Sequence, residues 1–146
     1  MKGVNVYLNF DGETERAFEF YRSVFGGEFS SFNRFGGMPG GDQFPAAEQH
    51  RIMHVSLPLG GGYTLMGSDT LPSMGHVLNR GNDVYVSLAP ESREHAQALF
   101  KGLSVNGSVE MELQDTFWGA YFGSFRDQFG VGWMINLDNP PPEQAA

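Results

Sequence analysis

The chain has 146 residues, 40% hydrophobic and 18% charged, with 17 acidic against 9 basic side chains and a net charge of −8. That length and balance describe one globular domain with a real core and exclude a disordered chain. The acidity repels a phosphate backbone, so no nucleic acid is expected as a partner. With no cysteine, disulfides, thiolate catalysis and Cys-based metal centres are excluded.

No apolar run approaches the roughly 18–20 residues that span a bilayer. The first residues, Met1-Lys2-Gly3-Val4-Asn5, lack the apolar stretch of a signal peptide. The expected setting is cytoplasmic, with no membrane partner.

In chain order, Val6–Phe10 alternates as a strand. A helix is expected from about Glu13 to Phe25, with Asp11 as its N-cap and an apolar stripe of Ala17, Phe20, Tyr21 and Val24. Gly26-Gly27 ends it. Strands are expected at Glu28–Phe35, Arg51–Leu59 and Tyr63–Ser68, the last two joined by Gly60-Gly61-Gly62. Between the first two lies a Gly/Pro-rich loop, Gly36 to Pro45. It reads either as a lid over a site or as a tolerated surface loop.

The pattern then returns. Val84–Leu88 is a second alternating strand, followed by a helix from about Glu91 to Leu103, with Pro90 at its start and a stripe of Ala96, Leu99, Phe100 and Leu103. Strands follow at Ser108–Gln114, Gly119–Arg126 and Val131–Leu137. Each half reads β-α-β-β-β, an internal repeat. The expected class is α+β: one domain, 1–138, of module 1 (1–68) and module 2 (82–138), with a linker at 69–81 and a disordered tail at 139–146.

Alternation separates two faces of each sheet. Val6, Leu8 and Phe10 belong under a helix, as do Val84, Val86 and Leu88 in the second copy. The other face carries Asn5, Tyr7 and Asn9, then Asp83, Tyr85 and Ser87, with Met66 and Met134 from the closing strands. Two tyrosines and two methionines among small polar groups suit a ligand cavity, which is mostly apolar with a few placed polar atoms. They also suit a face covered by a dimer partner.

Two stretches carry a family likeness. One runs from Asn9-Phe10-Asp11-Gly12 through Phe18-Glu19-Phe20-Tyr21 to Phe25-Gly26-Gly27. The other is Asp115-Thr116-Phe117-Trp118-Gly119, continuing through Phe122-Gly123, Arg126-Asp127, Phe129-Gly130 and Trp133. With Ile52-Met53-His54 and Leu65-Met66-Gly67-Ser68-Asp69, they resemble the PhnB-like branch of the vicinal-oxygen-chelate superfamily, which includes glyoxalases, bleomycin-resistance proteins and extradiol dioxygenases. The resemblance implies two βαβββ modules curling a mixed sheet round a cavity, in a homodimer. Enzymes of the superfamily bind a divalent metal through His and Glu at four repeat-related places. Matched by position, these fall here at Asn5, Met66, Asp83 and Met134. One amide, one carboxylate and two thioethers depart from the imidazole and carboxylate set such a metal prefers, so no metal or other cofactor is expected. Some relatives are named as ubiquinone methyltransferases. No glycine-rich strand-to-helix turn supports that here.

Candidate ligand-binding residues are therefore Asn5, Tyr7, His54, Met66, Asp69, Asp83, Tyr85, Trp118, Phe122 and Met134. His54 reads as a general base or as a hydrogen-bonded structural residue. Asp69 caps the linker or binds ligand. Asp83 is the one carboxylate at a ligand-related position. Trp118 and Phe122 form an aromatic wall or pack in the core. His50, His76 and His95 read as surface residues. No catalytic residue is assigned. The expected function is a metal-independent small-molecule binder; the alternatives are an enzyme of the superfamily's lyase, isomerase or dioxygenase kind, and a dimeric interaction module without a small ligand.

Overall fold

The computed structural model describes residues 1–140. Two compact units divide between Asn79 and Arg80. In the first, β1 (Val6–Phe10) leads to α1 (Thr14–Phe25), β2 (Ser31–Arg34), the short α2 (Ala46–Gln49), β3 (Ile52–Gly60) and β4 (Tyr63–Asp69). In the second, β5 (Val86–Leu88) leads to α3 (Arg93–Leu103), β6 (Ser108–Asp115), β7 (Ala120–Arg126) and β8 (Gly132–Asp138). Each unit has one four-stranded sheet, ordered β1-β4-β3-β2 and β5-β8-β7-β6. The first and last strands of each module pair parallel and the other neighbours antiparallel. The fold is α+β with two βαβββ modules. The triple glycine joins β3 to β4 as a hairpin, with all three residues at positive φ.

The helix stripes show why each module closes. In α3, Ala96, Leu99, Phe100 and Leu103 are all buried, as the spacing predicts. In α1 the buried set is Thr14, Ala17, Phe18 and Tyr21. Phe18 replaces Phe20 and Val24 in the expected stripe because its ring meets Phe10 at 6.4 Å and Tyr21 at 5.4 Å. One strand glycine in each module lets a helix ring approach the sheet. A Cβ on Gly67 would lie 2.7 Å from the Phe18 ring and 2.8 Å from the Leu8 carbonyl oxygen; one on Gly123 would lie 2.7 Å from the Phe100 ring.

Several local expectations are corrected. Asp11 is not the cap of α1: Glu13 stands at that position without a side-chain bond. Asp11 instead pairs with Arg51 at 2.6 Å, and the α1 amides turn to Asp69. Pro90 is not the start of α3. Ser92 is its N-cap, its Oγ accepting from the His95 amide at 3.0 Å. The strand expected from Glu28 is only Ser31–Arg34, and the Gly/Pro-rich loop coils into two 3-10 turns before α2. The strand expected from Val84 begins at Val86. Of the expected tail, residues 141–146 lie outside the described residues. Asn139 is tied down, its amide donating to Gly119 O at 2.9 Å and its side chain to Asp115 at 3.2 Å.

Gly67→Ala and Gly123→Ala should each lower unfolding stability by about 1–3 kcal/mol, because backbone or a packed ring must move to admit one methyl group. Chemical denaturation checks this, and a loss below about 0.5 kcal/mol would contradict the close approach.

Candidate functional site

The first module gathers three of the expected site residues on the sheet face turned away from α1. Tyr7 and Met66 are register partners across β1 and β4, and Met66 is opposite Ser56 of β3. His54 lies two residues from Ser56, so both point the same way. The Tyr7 hydroxyl lies 3.2 Å from His54 Nδ1, and the Ser56 hydroxyl lies 3.1 Å from Nε2. The Tyr7 and His54 rings stack at 5.7 Å. Both imidazole nitrogens thus have a hydroxyl partner, and a hydroxyl can donate or accept as the tautomer requires. Asn5 sits at the edge of this face, its Oδ1 accepting from the Thr64 amide at 3.3 Å. Ser56 was not singled out from the sequence, although its i+2 spacing from His54 is the signal that finds it.

Next to this polar row is a half-open cavity of about 690 Å³. Met38, Met53, Met74, Phe35 and Phe44 supply its apolar wall, and Asn9, Ser68 and Thr70 supply polar atoms. The Asn9 and Ser68 side chains bond at 3.3 Å. A second hollow of about 700 Å³ shares Met38 and Met53 and reaches Asn33, Gln49 and His50. The Gly/Pro-rich loop is therefore a wall of both. It is held by Gln49, which donates to Phe44 O at 2.8 Å, and by Gly41, where a Cβ would sit 2.2 Å from Phe35 O.

Asp69 borders the cavity but is bound into the scaffold. Its Oδ1 accepts from the amides of Gly12 and Thr14 at 2.9 and 3.1 Å and from the Thr14 hydroxyl at 2.7 Å; its Oδ2 accepts from the Ile52 amide at 2.8 Å. The residue is buried. Of the two readings open from the sequence, this geometry is the structural one, although what Asp69 holds is α1 and β3 rather than the linker. The linker has its own clamp. Glu48 accepts from Ser73 N at 2.8 Å and Ser73 Oγ at 2.5 Å, and His76 Nδ1 accepts from Leu71 N at 3.1 Å. Both cavity walls are thereby fastened together.

The second module does not repeat the arrangement. Ser87, not Tyr85, is the register partner of Met134. Tyr85 lies before β5: its hydroxyl donates to Glu110 at 2.8 Å and its ring lies 5.0 Å from the Arg126 guanidinium carbon. Asp83 also precedes the strand and is exposed, so the expectation of a strand carboxylate fails. Trp118 is 54% exposed and Phe117 is 98% exposed, so Trp118 is not core. It packs edge-on to Phe117 at 5.1 Å and to Phe122 at 5.9 Å. Asp115 is engaged bidentately by Arg93 at 2.9 and 2.8 Å, which lowers its carboxyl pKa from the ordinary value, with Asn139 adding a further bond.

The donor sets do not fit the superfamily's metal. Asn5 offers an amide already used by Thr64, Met66 and Met134 offer thioethers, and Asp83 stands off the strand. Among the described residues no group of three or more His, Asp or Glu is placed to hold a metal ion. No step of chemistry is derived through one.

Hydrogen bonds from the Ser73 hydroxyl, then from its backbone, lower the Glu48 carboxyl from its ordinary value, with Arg51 and His76 adding attraction. A depressed carboxylate stabilises the fold above the unfolded value of about 4.3 and loses that contribution as pH falls through the lower folded value. Acidification below about pH 4.3 should therefore lower the protection of the Ser73 amide, measured against its intrinsic exchange rate, before the sheet opens, and Glu48→Gln should leave that protection flat with pH. Protection at Ser73 that is flat with pH in the unaltered protein would refute the clamp.

Comparison with known proteins completes the picture. A family model described as Glyoxalase/Bleomycin resistance protein/Dioxygenase superfamily matches residues 3–135. Protein YjdN of Escherichia coli strain K12 is 34% identical, over 94% of this chain and 97% of that protein. The crystal structure of protein PA1353 from Pseudomonas aeruginosa is 36% identical with a TM-score of 0.81, covering 94% of this chain and all (100%) of that one. A Bacillus cereus PhnB protein shares the fold, with 24% identity, a TM-score of 0.67 and coverage of 92% and 98%. Paired βαβββ modules and a family-model match over nearly the whole chain make this protein a member of the Glyoxalase/Bleomycin resistance protein/Dioxygenase superfamily.

Proposed function

We propose that the protein binds a small molecule without a metal, in the first module, at the cavity floored by Asn9 and Ser68. The observation that carries this reading is the cavity itself. About 690 Å³ lies within the range of ligand sites, roughly 300–1,000 Å³, and an apolar wall with a few polar atoms is their usual lining. Three thioethers give the wall an adaptable surface. The misfit of the metal-position residues supports binding without a metal. Of the candidate residues, Asp69 lines this cavity; Tyr7, His54 and Met66 stand on the same sheet face as Asn9 and Ser68 without lining it, Asn5 lies at that face's edge, and Asp83, Tyr85, Trp118, Phe122 and Met134 belong to the second module.

A second reading, an enzyme of the superfamily's lyase, isomerase or dioxygenase kind, draws on the imidazole of His54 held between two hydroxyls. That is the arrangement of an oriented acid or base. A homodimer in the cytoplasm completes the proposal. Phe117 and Trp118 are large aromatic side chains in contact with each other and exposed in the second module, and exposed apolar clusters of this kind often mark an interface. The absence of cysteine fits a reducing compartment. No helix among the described residues is long and apolar enough to cross a membrane.

A thermal-shift screen of small molecules on chelator-treated protein tests the binder. A ligand at one hundred times its Kd adds about 2.7 kcal/mol of stability. Met53→Trp, which fills the cavity, should abolish the shift while leaving the unliganded melting point within a few degrees. Shifts that survive Met53→Trp, or that require a divalent metal, would count against the reading. Sedimentation at micromolar concentration tests the dimer. Trp118→Lys with Phe117→Lys should yield a monomer, and a monomer before substitution would end the proposal.

A further inference from the structure

The open face of the first sheet has no charged strand residue. Across the row through Met66 it presents Tyr7, Ser56 and Ser31; across the next it presents Asn9, Ser68, His54 and Asn33. Every polar group here is a hydroxyl, an amide or the imidazole. The charges nearby are already satisfied by the protein. Arg51 holds Asp11 at 2.6 Å, Arg34 holds Glu15 at 2.7 Å on the helix side, and Ser73 engages Glu48. Asp69 has four donors of its own. In a protein of net charge −8, this is a neutral strip.

The strip continues from the cavity. Asn9 and Ser68 line the cavity and also belong to the second row. One row further on, roughly 7 Å along the strands, stand the Tyr7 and Ser56 hydroxyls with His54 bonded to both. Tyr7 is 45% exposed, so its ring is open to a partner lying flat on the sheet.

From this continuity we infer the ligand class: an uncharged compound in which an apolar ring, seated against Phe35, Phe44 and Met53, is joined to a hydroxyl-rich portion laid across Asn9, Ser68 and Tyr7, as in a neutral aryl glycoside. The inference rests on the cavity being the ligand site. A charged group brought to this strip loses water and meets no countercharge, which is costly. A neutral hydroxyl exchanges its water bonds for amide and hydroxyl partners that donate and accept in either sense. A ligand without hydroxyls strips water from those groups and puts no hydrogen bond in its place, which also costs affinity.

Calorimetric titration with naphthyl glucoside, naphthyl glucuronide and naphthol tests it, because the three share one ring and differ in the attached group. The glucoside should bind at least about tenfold more tightly than either of the others. Asn9→Ala and, separately, His54→Ala should bring the glucoside's affinity down towards that of naphthol, with thermal melts showing that each variant folds. Asn9 is exposed, so that variant keeps the test open if His54→Ala unfolds. Equal or tighter binding of the glucuronide overturns the neutral-ligand inference and leaves the cavity reading standing. So does naphthol binding as well as the glucoside. No detectable binding of any of the three removes both.

Discussion

The carboxylate of Asp69 is the constraint on which the first module depends. A helix begins with unpaired amides, and here the first of them, Thr14 N, converges with the Thr14 hydroxyl and the amide of Gly12 just before the helix on one oxygen supplied from the far end of β4. The other oxygen holds the first amide of β3. One side chain thereby fixes where α1 starts, where β3 starts and where β4 ends. The register that places Tyr7, Met66 and Ser56 in one row follows from those three points. The second module has its own buried carboxylate in a different place. Asp127 accepts from the Phe129 and Val131 amides and from the Trp133 indole, closing the turn between β7 and β8. The repeat is kept in topology and not in the interactions that secure it.

The period-2 and 3.6-residue patterns were enough to read the class, the repeat and the faces of the first sheet, because burial acts on those periods directly. The hairpin at Gly60–Gly62 and the α3 stripe show that. In the second sheet Val84, expected under a helix, lies before β5 and is exposed. The failures share a cause. Asp11 looks like a cap because it is local and acidic, yet the cap comes from a residue 55 positions away from Thr14, which no window sees. Phe20 fits the α1 stripe as well as Phe18 does, and only the ring packing on Phe10 decides between them. Tyr85 matches Tyr7 in the repeat, but it lies before β5 and turns to Glu110 and Arg126. In the site, Tyr7, His54 and Met66 were legible from alternation. The cavity wall was not, because Met38, Phe44 and Met74 are brought there by irregular segments with no period.

Of the four positions that the superfamily resemblance matched to a metal, the two in the first module are taken up by the sheet's own contacts. Asn5 bonds the backbone of β4, and Met66 fills the space between Tyr7 and Ser56 in its row. What the face offers instead is hydrogen bonding without charge beside an adaptable apolar wall. Recognition on such a surface depends on shape and on the pairing of every buried polar atom, since no strong electrostatic term compensates for a poor fit.

The glycines beneath Phe18 and Phe100 divide each strand into two regimes. On the helix side a single added methyl group meets a ring or backbone at 2.7–2.8 Å, so that side is closed to variation. On the opposite side of the first sheet Tyr7, Asn9 and Asn33 are exposed, while Ser56 is buried. Substitutions confined to the exposed Tyr7, Asn9 and Asn33 therefore need no repacking of the interior, and a combinatorial library built on those positions alone can alter the chemistry of that face while leaving the helix side untouched.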